Sequence, residues 1–152
     1  MTRSEKSARL LVGINVLVYL SYGVVFMLAP SWGARQFGIE LTTTTALADF
    51  RAIYGGLPMG VGLFYAAAFK WRELLLPVVA LTGICGLEVA LARTYSWLVS
   101  GTPNTTMFVF MGLELGGVVW AWSVHRALGG ARPAPADGRP AETLRSAGAA
   151  VQ

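Results

Sequence analysis

Four runs of mostly apolar residues, each near the ~20 that carry a helix across the hydrocarbon core of a bilayer, decide what this chain can fold into. They cover residues 10–29, 46–69, 74–99 and 105–124 of a 152-residue sequence. With 55% hydrophobic and only 13% charged residues, and a mean hydropathy of +0.56, the chain has too little charge to coat a soluble domain. The expected fold is all-α, an integral membrane four-helix bundle with short loops and the lipid bilayer as its solvent. Residues 1–9 read as a polar lead-in and 10–126 as the bundle. Residues 127–152, rich in Ala, Pro, Gly and Arg, read as a disordered tail. A basic start before the first run also suits a secretory signal. That run is long for one, however, and no small-x-small cleavage pattern follows it, so it is expected to span.

The basic residues gather at alternate ends of these runs. Arg3, Lys6 and Arg9 precede the first, Lys70 and Arg72 separate the second from the third, and Arg126, Arg132, Arg139 and Arg145 follow the fourth. The other loops hold only Arg35. By the positive-inside rule both termini are expected in the cytoplasm. Although the sequence pI is about 9.6, no aromatic-interleaved basic patch argues for nucleic acid. Trp32 and Phe37 suit a membrane interface, and the threonines of residues 42–45 offer an N-cap to the second helix.

Charges inside the runs stand out, because each costs roughly 2.5–3.5 kcal/mol at a helix centre and so needs a partner, water or a shallow position. The second run carries Asp49 and Arg51, the third Glu88 and Arg93, the fourth Glu114. At about 1.5 Å of rise per residue, Asp49 lies roughly 5 Å below its outer helix end, Arg51 and Arg93 about 8 Å, and the two glutamates about 15 Å. The expectation is one ionic cluster lining a polar cavity that opens outward above an apolar floor. Three carboxylates then face two arginines, and desolvation with like-charge repulsion would leave Glu88 or Glu114 neutral. A neutral carboxyl beside an ionised one makes an acid–base pair. The competing expectation is that all five groups pair structurally and fix helix register.

Asn15, Tyr19 and Tyr22 fall on one face of the first helix, and Tyr54 lies one turn from Arg51. These four, with Arg51 and Arg93, are the candidate substrate-binding residues; Asp49, Glu88 and Glu114 are the candidate catalytic ones. Each tyrosine taken alone reads equally as a packed aromatic whose hydroxyl finds a carbonyl. Gly56-x-x-x-Gly60 and Gly112-x-x-x-Gly116 have the spacing of close helix packing, and Pro58 should bend the second helix. Cys85 reads as a structural thiol and His125 as a solvated residue at a helix end. No pattern for a metal, haem, nucleotide or flavin is present, so no cofactor is expected.

The segment Asp49-Phe50-Arg51-Ala52-Ile53-Tyr54-Gly55-Gly56, residues 86–93, the turn at residues 100–103 and Glu114 together resemble an uncharacterised bacterial family of four-helix membrane proteins, domain of unknown function 4345. Ala92 and Ser100 depart from its pattern, where a glycine and an acid are expected. The resemblance implies a bacterial inner-membrane protein and assigns no activity. The architecture is also similar to sterol- and amine-binding membrane proteins of the emopamil-binding type.

Three functions follow as expectations. The first is a pocket for a small, largely apolar molecule (isoprenoid-, sterol- or epoxide-like), with carboxylate acid–base chemistry of the isomerase or epoxide-hydrolase kind. The second is proton-coupled transport of a small molecule. The third is a non-catalytic partner subunit, or a homodimer, docked through the glycine faces of helices two and four. The topology is testable directly. Reporter fusions at residue 1 and after residue 126 should both read cytoplasmic, whereas a cysteine introduced at Ser31 should react with an impermeant thiol reagent from outside; the reverse pattern inverts the assignment.

Overall fold

The computed structural model describes residues 1–102 and 105–130 (for Thr106 the backbone alone), and every regular element within them is a helix. Helix α1 (Arg3–Leu28) is followed by a short α2 (Pro30–Gln36) and by α3 (Thr44–Phe50). From α3 the chain passes through one π-helical turn (Arg51–Gly56) directly into α4 (Leu57–Lys70). A single 3-10 turn (Arg72–Leu74) leads into α5 (Leu75–Ser100), and α6 (Thr105–Gly129) closes the order. Four stretches are long and apolar enough to cross a membrane: Arg3–Leu28, Thr44–Lys70, Arg72–Ser100 and Met107–Gly129. The four-helix membrane bundle is therefore as expected. The expectations for Pro103, Asn104 and residues 131–152 lie outside the described residues.

Three boundaries differ from the sequence reading, each for a local reason. Residues 3–9 are helical rather than a loose lead-in, because Thr2 and Glu5 form a reciprocal capping box. Thr2 Oγ1 accepts from the Glu5 amide at 3.2 Å, and Glu5 Oε2 accepts from the Thr2 amide at 3.0 Å. The other Glu5 oxygen takes Arg72, which ties the start of α1 to the α4–α5 connection. The first run, expected to end at residue 29, is followed at once by α2, which Pro30 opens: Ala29 leaves helical geometry at φ −127° and ψ 56°, and proline suits a first turn, where its missing N–H is no loss. Helix α6 continues past residue 124 to Gly129. The threonine cap is found as expected, with Thr43 Oγ1 accepting from the Ala46 amide at 3.1 Å.

The turn that precedes Pro58 is wider than an α-helical one. An α-helical proline clashes with the carbonyl four residues back. Here one extra residue is absorbed in the turn just before it, and the Leu57 amide reaches the Ala52 carbonyl, five residues back. That insertion puts both Phe50 and Gly55, five residues apart, on the buried side facing α1.

Helix α1 packs lengthwise on the π turn and α4, and α5 packs lengthwise on α6; α1 also touches α5 and α6. The first pairing is nearly backbone on backbone. A methyl group on Gly23 would meet Met59 Cγ at 2.5 Å and the Gly55 carbonyl oxygen at 2.8 Å, and one on Gly62 would meet the Leu20 side chain at 2.8 Å. In the second pairing, a methyl group on Gly86 would meet Val118 Cγ2 at 3.0 Å. This corrects the glycine assignment made from spacing. Gly60, Gly112 and Gly116 have nothing within 4 Å of such a methyl, and the close contacts belong to Gly23, Gly55, Gly62 and Gly86.

One core of small and branched side chains (Ala8, Val12, Ala68, Val78, Val79 and Ala121 among them) joins all four spans at the end that carries most of the basic residues. Because lipid tails are as apolar as these side chains, specificity here comes from fit and from hydrogen bonds. Trp120 Nε1 donates to Ser7 Oγ at 2.9 Å, and the fully buried Tyr65 shares a hydrogen bond with Thr82 Oγ1 at 3.0 Å. A second, smaller core of Phe26, Ala34 and Phe50 holds α1, α2 and α3 together at the far end. Gly23→Ala should therefore lower the melting temperature in detergent clearly. Gly60→Ala, which meets no neighbour, should leave it unchanged or raise it, since alanine is favoured over glycine in a helix by about 1 kcal/mol.

Candidate functional site

The charged residues of the far half are arranged by helix phase. On α5, Gly83, Gly86 and Arg93 look toward α6, and a methyl group on Gly86 would lie 3.7 Å from the Glu114 carbonyl oxygen. Arg93 and Glu114 thus meet: Nη2 lies 3.0 Å from Oε1. Arg93 also donates through Nη1 to Met107 Sδ at 3.6 Å, and its guanidinium carbon lies 5.8 Å from the centre of the Phe110 ring. The side chains are 31% and 22% exposed, so the pair is mostly enclosed. It is nevertheless incomplete. Arg93 Nε and Glu114 Oε2 are both buried, and neither has a hydrogen-bond partner.

The same half of the bundle holds an aromatic cluster built on α1, α2, α3 and the π turn. Tyr22 stacks on Phe26 with ring centres 4.1 Å apart, and Phe50 stacks on Tyr54 at 4.4 Å. Phe26 lies 5.7 Å from Phe50 and 5.9 Å from Phe37, and so joins the two stacks. Local sequence explains the arrangement: Tyr22/Phe26 and Phe50/Tyr54 are four-residue pairs on helix surfaces, and Gly33 leaves room for the Phe26 ring, which a methyl there would meet at 2.6 Å. Tyr22 lies within electrostatic reach of both Arg93 and Tyr54, without a hydrogen bond to either among the described residues.

The remaining candidates do not join that centre, and the single five-residue cluster expected from the sequence is not formed. Glu88 sits two residues from both Gly86 and Ala90, on the opposite side of a 3.6-residue helix from the α6-facing row, and is exposed. Asp49 is also exposed, because the adjacent Phe50 takes the buried position. Among the described residues neither forms a hydrogen bond or ion pair. The pairing of Glu88 with Glu114 as acid and base therefore has no geometric basis. Arg51 turns to α1, where its Nε donates to the Met27 carbonyl at 3.3 Å, one residue before the helix ends. A cation there suits the carbonyl end of a helix.

Asn15, Tyr19 and Tyr22 share a half-buried face as read from the sequence. Asn15 Nδ2 is spent on the Leu11 carbonyl of its own helix at 2.9 Å, and Tyr19 packs on Tyr65 with ring centres 5.5 Å apart. Of the two tyrosines, Tyr22 is the one within electrostatic reach of Arg93. Phe26, Phe50, Met107 and Phe110 were missed by the sequence reading. Being uncharged, they are visible only through helical spacing: Phe26, Phe50 and Phe110 lie four residues from Tyr22, Tyr54 and Glu114, and Met107 lies seven from Glu114.

The profile of a domain of unknown function (DUF4345) matches residues 7–125, nearly the whole bundle. No curated protein and no solved structure matches the chain.

Removing one member of an enclosed ion pair costs about 3–5 kcal/mol in the extreme of full burial and less at this partial exposure, whereas replacing both by apolar side chains is often neutral. Arg93→Met and Glu114→Met should each destabilise the bundle in detergent unfolding, and the double variant should be more stable than either single one. A double variant equal to the sum of the two singles would show the residues to be uncoupled.

Proposed function

The chain belongs to the DUF4345 family, whose name assigns no chemistry, and from the site itself we propose that it binds a small, largely apolar molecule carrying one polar group. The polar group sits on the Arg93–Glu114 pair and the apolar body lies toward Tyr22 and Tyr54. What carries this reading is the unmet pair of atoms: an N–H donor on Arg93 and a carboxylate acceptor on Glu114, both buried and both unpartnered. Leaving such a group unsatisfied costs about 1–3 kcal/mol, which a bound partner recovers.

A hydroxyl is the simplest group that serves both, accepting from Nε and donating to Oε2. An isoprenoid- or sterol-like alcohol fits that description, whereas an epoxide could only accept from Nε and would leave Oε2 unmet. A few convergent polar groups in an otherwise apolar setting are the usual form of a small-molecule site. Glu114 is then the group that exchanges a proton with the ligand, and Arg93 holds the carboxylate in place. The basic end lies on the cytoplasmic side in this reading, so the site opens toward the extracytoplasmic face.

A diazirine-bearing isoprenoid alcohol, photolysed with the full chain in nanodiscs, tests the proposal. Label should concentrate near residues 93, 107–114 and 22, and should fall at least several-fold for the matching hydrocarbon without the hydroxyl and for Glu114→Gln. Equal labelling by alcohol and hydrocarbon would remove the proposed role of the pair.

A further inference from the structure

A groove of about 180 Å³ runs between α5 and α6 in the half of the bundle opposite the ion pair. Small residues make its floor: Ala80 and Gly83 on α5 and Ala121 on α6. Leu87 and Trp122 form its rims, and both are exposed on the outer surface of the bundle, so the groove opens sideways into the membrane. Its α5 wall, from Ala80 to Leu87, extends about 10 Å along the helix axis. The volume is below the ~300–1,000 Å³ of sites that enclose a whole small molecule, which suits a segment of chain.

The two ends of the groove differ. Toward the bundle centre it is apolar; toward the basic end it closes on His125. The His125 ring stacks on Trp122 at 6.4 Å, and the Arg126 guanidinium covers the same indole at 4.9 Å. Arg126 is exposed and has no carboxylate partner among the described residues, so its charge faces the headgroup level. Of the acidic side chains at this end among the described residues, Glu5 is committed to Arg72, and Glu73 stands exposed just before α5.

We infer that this groove holds one acyl chain of an anionic phospholipid, with the phosphate against Arg126 and His125 and the chain lying between α5 and α6 toward Leu87. A lipid is the molecule that the opening faces, and the charge at the mouth selects an anionic headgroup over a zwitterionic one. The indole of Trp122 belongs at that depth, with its ring on the chain and its edge at the interface.

The full chain in phosphatidylcholine nanodiscs, doped with phosphatidylglycerol carrying a diazirine in one acyl chain, provides the test. After photolysis, label should concentrate on residues 80–87 and 118–122, and the equivalent photoreactive phosphatidylcholine should label them about fivefold less, the weight of one basic side chain near an anionic surface. Arg126→Gln, which takes the charge from an exposed position while keeping a side chain over Trp122, should remove this preference, and Ala80→Phe should clear label from the groove by filling it. Label spread evenly over the four spans, no preference between the two lipids, or a preference unchanged in Arg126→Gln would each overturn the inference.

Discussion

The near-contact of two backbones, Gly23 of α1 against Gly55 and Met59 of the second span, is the constraint on which the far half of this protein depends. It brings the end of α1 close enough for Arg51 to reach the Met27 carbonyl and for Phe26 to enter between Phe50 and Phe37. The second span can present Gly55 there only because the π turn shifts its register by one residue. In a bilayer, where burying an apolar side chain in protein instead of lipid gains little, such close approach supplies dispersion contacts that bulkier residues would prevent.

The other helix pair is held on different terms. Between α5 and α6 the contact residues are small in the basic half and charged in the far half: Gly83 and Ala121 at one level, Arg93 and Glu114 at the other. An ion pair at that depth couples the two helices, and its cost is desolvation that its own geometry offsets only partly, since one nitrogen and one oxygen stay unmatched. The same two helices leave a furrow where small side chains face each other. The bundle thus has one tightly matched pair, α1 with α4, and one pair with unspent space and unspent polarity. Both binding proposals draw on the second.

Much of this was legible from residue order. Span number and approximate length follow from four apolar runs, because the bilayer leaves a chain few alternatives. The shared face of Asn15, Tyr19 and Tyr22 follows from helical spacing, and the Thr43 cap from its chemistry. The capping box at Thr2 and Glu5 was equally readable, since it has the usual Thr-x-x-Glu pattern, but a polar lead-in does not invite a search for a helix start. The phase of Glu88 was not legible. Depth along a helix is counted from its ends, but the direction of a side chain depends on which face the neighbour occupies, and that is set by Gly86 and Val118 meeting in three dimensions. For the same reason spacing alone pointed to Gly56 and Gly60 when Gly55 makes the contact, for the π turn displaces everything before it by one residue.

The extra residue in that turn also bears on how the gene can change. Losing one codon between Arg51 and Gly56 would let the wide turn relax to ordinary α-helical winding, so α4 and its contacts with α1 could persist almost unaltered. The preceding segment would pivot by roughly a quarter-turn or more, carrying Phe50 off the stack and swinging Asp49 to a new bearing. A one-codon deletion there would thus redraw the far mouth while sparing the scaffold, whereas the same loss in the middle of α5 has no slack to absorb it.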